Sequence, residues 1–189
     1  MTPEQVLEFW FGPPAQRGRP RAEWFRKDPQ FDAQINQQFG DSVVAALNGQ
    51  LPGWTTTPDG CLACVLLLDQ FTRNIYRNLP QAFAGDAQAL ALARKLVDLG
   101  WDQQLSPLER VFAYLPFEHA ESLAEQDRAV ALFEALAAAQ PTLADYLVYA
   151  QRHREVIARF GRFPHRNAIL GRTSSLDEQI YLQQPGAGF

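Results

Sequence analysis

Polar side chains at helical spacing follow an unbroken apolar run near the middle of the chain. Residues 61–68 are all apolar, and Asp69, Arg73 and Arg77 then recur at every fourth position. If the segment is one helix, these three side chains share a face, with Asn74 beside them. One interpretation is structural, since charges next to a core are usually paired. The other is an anion site, because arginine binds carboxylate or phosphate through two parallel hydrogen bonds.

A second cationic segment follows a predicted helix end at Gly161. Its candidate ligand-binding residues are Arg162, His165, Arg166 and Asn167. A helical turn that starts after Pro164 would offer free N–H groups to an anion. The structural interpretation is a plain loop that follows a helix. If this segment meets the Arg73 and Arg77 face, the two segments form one pocket.

Three ionisable residues, Glu118, His119 and Glu121, lie at a predicted junction between two helices. They are interpreted first as salt-bridge partners of the arginines. A second interpretation makes Glu118 or His119 a catalytic general acid or base. A third makes them metal ligands, but neither an H-E-x-x-H motif nor a repeated Glu-x-x-His motif is present. We therefore predict no metal and no cofactor.

The two cysteines, Cys61 and Cys64, have the spacing of redox and zinc motifs. No second cysteine pair and no alternation of strands and helices accompanies them. They are therefore interpreted as small core residues. The sequence also lacks a glycine-rich phosphate loop and any signal of a Ser/His/Asp triad.

Composition places the chain among ordinary globular proteins, with 47% hydrophobic and 20% charged residues. Its 189 residues predict one helical domain over 1–182 and a frayed tail over 183–189. The net charge of −4 argues against a nucleic-acid partner. No signal peptide and no membrane-spanning run is visible, which predicts a cytoplasmic protein without a membrane partner.

Helix start signals recur along the chain. Capping boxes are predicted at Thr2–Gln5, Ser106–Glu109, Ser122–Glu125 and Ser175–Glu178. Asp28-Pro29 is a further start signal, Asp86 is predicted to cap another helix, and one helix is predicted from about Asp59 to Arg77. Apolar residues recur at three to four positions, and no strand pair is recognisable. The fold class is therefore predicted to be all-α, built from antiparallel helix pairs.

Four separated motifs resemble a widespread, mainly bacterial family of uncharacterised proteins. They are VLEFWFG at 6–12, LDQFTRNIYR at 68–77, YLPFEHAE at 114–121 and FGRFPHRNAILGR at 160–172. That family is placed in the tetratricopeptide-like helical superfamily, so the resemblance implies an α–α superhelix of stacked helix pairs. It implies no biochemical activity, and peptide binding in a concave groove is an analogy between folds.

Two functional hypotheses follow from these residues. The first is a binding protein that recognises a small anionic ligand or peptide through arginine and histidine side chains. The second is an enzyme that uses the same pocket, with Glu118 or His119 moving a proton and the arginines holding the substrate. The sequence offers many groups that hold anions but no activated nucleophile, which favours the first. It does not indicate an oligomeric state.

Overall fold

The computed structural model describes residues 1–51 and 53–188, and these residues form helices and turns with no strand among them. The prediction of an all-α fold is thereby confirmed. Short 3₁₀ turns connect most of the helices. The α-helices are α1 Pro3–Phe11, α2 Pro29–Leu47, α3 Pro58–Val65, α4 Thr72–Ile75, α5 Asp86–Asp98, α6 Pro107–Glu118, α7 Leu123–Ala139, α8 Ala144–Phe160 and α9 Leu176–Leu182.

Most of the predicted helix starts are confirmed. Capping boxes form between Thr2 and Gln5, between Ser106 and Glu109, and between Ser175 and Glu178. Ser122 does precede α7, but its side chain makes no capping hydrogen bond. The Glu125 carboxylate accepts a hydrogen bond from Arg94 on α5 instead. Asp86 is the first residue of α5 rather than its cap, which is Gly85.

The apolar run predicted as core is the centre of the molecule. All residues of α3 from Gly60 onward are buried, and α1, α5 and α6 pack around this helix. Cys61 and Cys64 are buried and unbridged, as predicted. The buried rings of Trp10, Phe71 and Phe112 also belong to this core.

Successive helices pack on one another in the second half of the chain. Helix α5 contacts α6, α6 contacts α7, and α7 contacts α8. Helix α6 continues through Pro116 and ends at Glu118. This helix contacts the segment Leu66–Phe71, which follows α3. No helix among residues 1–51 and 53–188 combines the length and apolarity needed to cross a membrane.

The prediction of one uninterrupted helix from Asp59 to Arg77 is wrong. A π-helical turn, Leu66–Phe71, separates α3 from α4, and α4 already ends at Ile75. The Thr72 hydroxyl donates to the Leu68 carbonyl within this segment. Such a turn holds one extra residue, which rotates the side chains after it relative to those before. Arg77 therefore lies beyond the helix end.

Part of the C-terminal tail packs against the body of the protein. Ala187 is buried, and Gly188 lies at the wall of a cavity described below. The frayed tail predicted over 183–189 stays a prediction, and residues 183–186 are exposed. Phe189, which belongs to the same prediction, lies outside the described residues, as does Pro52.

Gly85 gives a test of how closely the π-helical turn is packed. A Cβ atom at this position would lie 2.3 Å from the Leu68 carbonyl oxygen, a backbone atom that cannot rotate away. Gly85→Ala is expected to lower the free energy of unfolding by about 1–3 kcal/mol through overpacking. Gly53→Ala is the matched control, because a Cβ atom there meets nothing within 4 Å. Urea denaturation measures both, and equal stability of the two variants would contradict the packing described.

Candidate functional site

A cavity of about 540 Å³ opens beside the π-helical turn. Its walls come from the 3₁₀ turn Ala22–Phe25, the segment after α4, the C-terminus of α6, helix α8 and the 3₁₀ turn Pro164–Arg166. We call it the central cavity. Elements far apart in sequence meet here, and the two cationic segments singled out in the sequence are among them.

Asp69 lies at the base of this site and is fully buried. Its Oδ1 atom is 2.7 Å from His119 Nδ1 and 3.2 Å from Arg73 Nη1. The Gln70 side-chain amide donates to Oδ2. Burial alone would raise the pKa of Asp69, but Arg73 and His119 outweigh it and hold the pKa below its usual value. A charged carboxylate therefore ties the π-helical turn to α4 and α6.

Asp86, at the start of α5, is shared by two arginines. Its oxygens lie 3.0 and 3.1 Å from Nη1 and Nη2 of Arg73, and 3.2 Å from Nη1 of Arg166. The two cationic segments meet through this carboxylate. Arg73 donates in addition to the Asp69 carbonyl, so most of its five donors are engaged.

Fewer hydrogen-bond donors of Arg166 than of Arg73 have a partner among the described residues. Its guanidinium lies between two aromatic rings, 4.8 Å from the centroid of Phe83 and 4.5 Å from that of Phe163. Its Nε atom is buried and has no hydrogen-bond partner among the described residues. Burial, and then the adjacent Arg73, lower the pKa of Arg166 to about 10. An additional anion bound next to this guanidinium would therefore stabilise its charged form.

Asn74 and Arg77 also line the central cavity, but a different carboxylate holds them. Asp32 on α2 accepts two hydrogen bonds of 2.8 Å from Arg77 and one of 2.7 Å from Asn74. Neither residue contacts the Asp69 carboxylate. The four residues predicted to lie on or beside one helix face, Asp69, Arg73, Asn74 and Arg77, which we call the ladder, therefore do not form one connected set of contacts.

Glu118 and His119 both line the cavity at the end of α6. Glu118 is 3.0 Å from Nδ1 of His153, a residue of α8. Burial, together with the charge of Asp69, raises the pKa of Glu118 to about 8. Burial lowers the pKa of His119, and it lowers that of His153 to about 3. Both rings are therefore neutral at pH 7, and the Glu118 carboxyl is mainly protonated.

The remaining walls are cationic and aromatic. His165 lines the cavity, and burial followed by the charge of Arg166 lowers its pKa to about 4. Within the described part of the chain, Glu118 is the one acidic residue at the wall. The cationic lining residues are Arg26, Lys27, Arg73, Arg77 and Arg166, and the aromatic ones are Trp24, Phe25, Phe83, Tyr146 and Tyr149.

Three predicted ligand-binding residues are not part of the cavity lining: the fully buried Asp69, Arg162 and Asn167. Arg162 makes hydrogen bonds of 2.6 and 2.8 Å with Glu178, the same residue that closes the capping box of α9. Asn167 is buried and bonded to the side chains of Ser174 and Arg172. Both side chains therefore fasten the C-terminal segment to the body.

The acids predicted to pair with the ladder have other partners. Glu121 accepts two hydrogen bonds from Arg172 and one from the backbone N–H of Phe163. Glu118 faces His153 rather than an arginine. Asp86 binds Arg73, and Asp32 binds Asn74 and Arg77. The sequence patterns identify neither aspartate as a site residue.

The residues missed by the sequence reading are the two anchoring aspartates, His153 and the aromatic walls. Asp86 carried only a helix-start signal, and the aromatic residues have the pattern of core positions. No spacing rule joins Asp32 to Arg77, because 45 residues separate them. Among residues 1–51 and 53–188, no group of three or more His, Cys, Asp and Glu side chains is placed to hold a metal ion.

A model of the family described as "Bacterial protein of unknown function (DUF924)" matches residues 6–186. The chain belongs to this family. A solved structure of a protein of unknown function from Agrobacterium tumefaciens is 39% identical to it, with 97% of each chain covered and a TM-score of 0.85. No curated protein matches this DUF924 chain significantly. The resemblance to a bacterial family of uncharacterised proteins is therefore confirmed.

Asp69→Asn tests the anchoring carboxylate. The substitution keeps the shape but places an NH₂ group among three donors, those of Gln70, Arg73 and His119, and it removes one of the two carboxylates that pair with Arg73. We expect the free energy of unfolding to fall by about 3 kcal/mol or more. Asp98→Asn is the control, since Asp98 is 60% exposed and pairs with Arg128 at the surface. Chemical denaturation that finds similar losses for both variants would contradict the anchoring role.

Glu118→Gln tests the buried carboxyl through the pH dependence of stability. Because the folded-state pKa of about 8 lies above the usual 4.5, the stabilisation from Glu118 is full below pH 4.5 and is lost as pH rises through 8. The variant is expected to lack this decline, so its stability relative to the unmodified protein rises between pH 4.5 and 8. Glu134→Gln, at an exposed position, is the control. Urea midpoints across this range measure the difference, and parallel profiles would contradict the assignment.

Proposed function

We propose that this DUF924 protein binds a small organic anion in the central cavity. The observation that carries the proposal is the charge of the lining: five cationic side chains and a single acidic one, Glu118, within the described residues. With its pKa raised to about 8, Glu118 adds little negative charge at neutral pH. Guanidinium groups provide paired donors for carboxylate or phosphate.

The size and walls of the cavity indicate the kind of ligand. A volume of about 540 Å³ lies within the usual range for small-molecule sites, roughly 300–1,000 Å³. Tyr146 and Tyr149 on α8, with Phe83 against the guanidinium groups of Arg73 and Arg166, offer flat apolar surface. An anion with an aromatic or otherwise flat apolar part fits both features.

A peptide carboxylate is the other ligand with the same chemistry. The consecutive packing of α5, α6, α7 and α8 supports a tetratricopeptide-like superhelix, in which peptides occupy concave surfaces. In this proposal the arginines hold the terminal carboxylate and the aromatic walls hold the last side chain. The buried, unbridged cysteines fit a cytoplasmic location.

Ligand-induced stabilisation tests the proposal. Melting temperatures are measured with inorganic phosphate, phenyl phosphate, benzoate and a short peptide, at constant ionic strength. At least one of these anions is expected to raise the melting temperature in a saturable way. Failure of all four to do so would contradict the proposal.

A double variant tests whether the binding occurs in the cavity. Arg26→Gln with Lys27→Gln removes two exposed cationic groups at the cavity wall and is expected to weaken binding about 10-fold. Arg19→Gln with Arg159→Gln removes the same charge from exposed positions outside the cavity lining and is the matched control. Equal affinities of the two double variants would show that the anion binds elsewhere.

One observation supports the alternative, an enzyme acting on the same anion. Glu118 and His119 are adjacent at the cavity wall, and their pKa values are shifted in opposite directions, which is the arrangement of a general acid with a general base. Hydrolysis of phenyl phosphate is the assay. Turnover that is lost in Glu118→Gln while binding remains would support the enzyme, and binding without turnover would favour the binding protein.

A further inference from the structure

We propose that the central cavity selects a phosphate-type group that carries a hydrogen, in preference to sulfate or sulfonate, and that Nε2 of His119 accepts this hydrogen. The inference rests on the proposed function, since it names the class of anion that binds at the same site. His119 is thereby a specificity-determining residue.

The contact with Asp69 fixes the tautomer of the His119 ring. An ionised carboxylate can only accept hydrogen bonds, and Asp69 Oδ1 lies 2.7 Å from Nδ1. Nδ1 therefore carries the hydrogen. In a neutral imidazole the other nitrogen, Nε2, then presents a lone pair.

The Nε2 edge of the ring is the one available to a ligand. Nδ1 is directed at the buried Asp69, whereas the side chain as a whole is 15% exposed and lines the cavity. Nε2 has no hydrogen-bond partner in the described part of the chain. The polar atom left for a cavity ligand is therefore an acceptor.

Burial and cationic neighbours keep this ring neutral. Burial lowers the pKa of His119 most, and Arg73 of α4 and Arg166 of the turn Pro164–Arg166 lower it further. His153 of α8 and His165 also face this part of the cavity, and both have lowered pKa values. Asp69 favours protonation but is outweighed, and Glu118 beside the ring is mainly uncharged at pH 7. The acceptor at Nε2 thus persists at neutral pH.

Shared carboxylate partners place the proposed anion position next to the acceptor atom, Nε2 of His119. Arg73 and His119 contact the same oxygen of Asp69, while Arg73 and Arg166 contact the same carboxylate of Asp86. An anion that takes the free donors of Arg166 and Arg73 therefore lies next to the His119 ring. The Arg166 guanidinium, which lines the cavity, supplies such donors.

The protonation of the anion decides whether this position is favourable. Hydrogen phosphate retains one O–H group at pH 7.5, which can donate to Nε2. Sulfate has no hydrogen at this pH, so one of its oxygens would face the nitrogen lone pair and both acceptors would remain unpaired. A phosphate monoester, whose second pKa is about 6, would take up a proton on binding.

Calorimetric titration with inorganic phosphate and with sulfate, at pH 7.5 and constant ionic strength, tests the inference. Phosphate is expected to bind at least 10-fold more tightly than sulfate. In His119→Asn the amide can still donate to Asp69 but no atom replaces Nε2, so the preference is expected to fall to about 2-fold. His165→Asn, at another histidine of the cavity wall, is expected to keep the full preference.

The possible outcomes separate this inference from the proposed function. If neither anion binds the unmodified protein and no other anion does, the proposed function fails and the inference fails with it. Equal affinities for phosphate and sulfate would leave the anion site intact and overturn the inference. Full preference for phosphate in His119→Asn would also overturn it.

Histidine ¹⁵N spectra of the unmodified protein provide a second test that needs no variant. His119 is expected to show a hydrogen on Nδ1 and none on Nε2 at pH 7.5. Phosphate is expected to shift the Nε2 resonance, and sulfate at the same ionic strength is not. A hydrogen on Nε2 in the unliganded protein would overturn the inference.

Discussion

The fully buried carboxylate of Asp69 is the interaction on which the site depends. A charge removed from water is costly, and it is tolerated only where donors surround it. Here the donors come from the π-helical turn, from α4 and from the end of α6, so satisfying one carboxylate fixes three elements relative to one another. The same interaction sets the orientation of His119 and places Arg73 beside Asp86.

The local parts of this structure could be predicted from the sequence, whereas the non-local partners could not. Capping boxes at Thr2, Ser106 and Ser175 involve residues three positions apart, so the pattern and the structure coincide. Arg73, Arg166 and His119 were recognised as candidates because their side-chain chemistry is evident from their types. Their partner Asp86 is 80 residues from Arg166, and no local rule connects them.

The π-helical turn explains a further difference between sequence and structure. Its residues are all buried, so the apolar period carries no sign of the extra residue. The turn shortens the predicted helix and separates Arg77 from the Asp69 face. Arg162 has cationic sequence neighbours, which favour a place beside the cavity, but in the structure it pairs with Glu178. Electrostatic partners of this kind are fixed by the fold, not by spacing.

Some hydrogen-bond donors of the arginine network lack a partner, and this makes the cavity suited to an anion. Asp69, Asp86 and Asp32 engage most donors of Arg73 and Arg77, while Arg166 keeps a buried donor without a partner. Buried polar groups without a partner are uncommon in folded proteins. The aromatic rings beside Arg166 further exclude water and strengthen its attraction for an anion.

A crystal structure of the protein with phenyl phosphate tests the central claim most directly. The account requires the phosphate group to contact the guanidinium groups of Arg166 and Arg73 and the phenyl ring to lie against the aromatic wall of the cavity. A fully occupied ligand bound elsewhere, with only water beside Arg166, would contradict it.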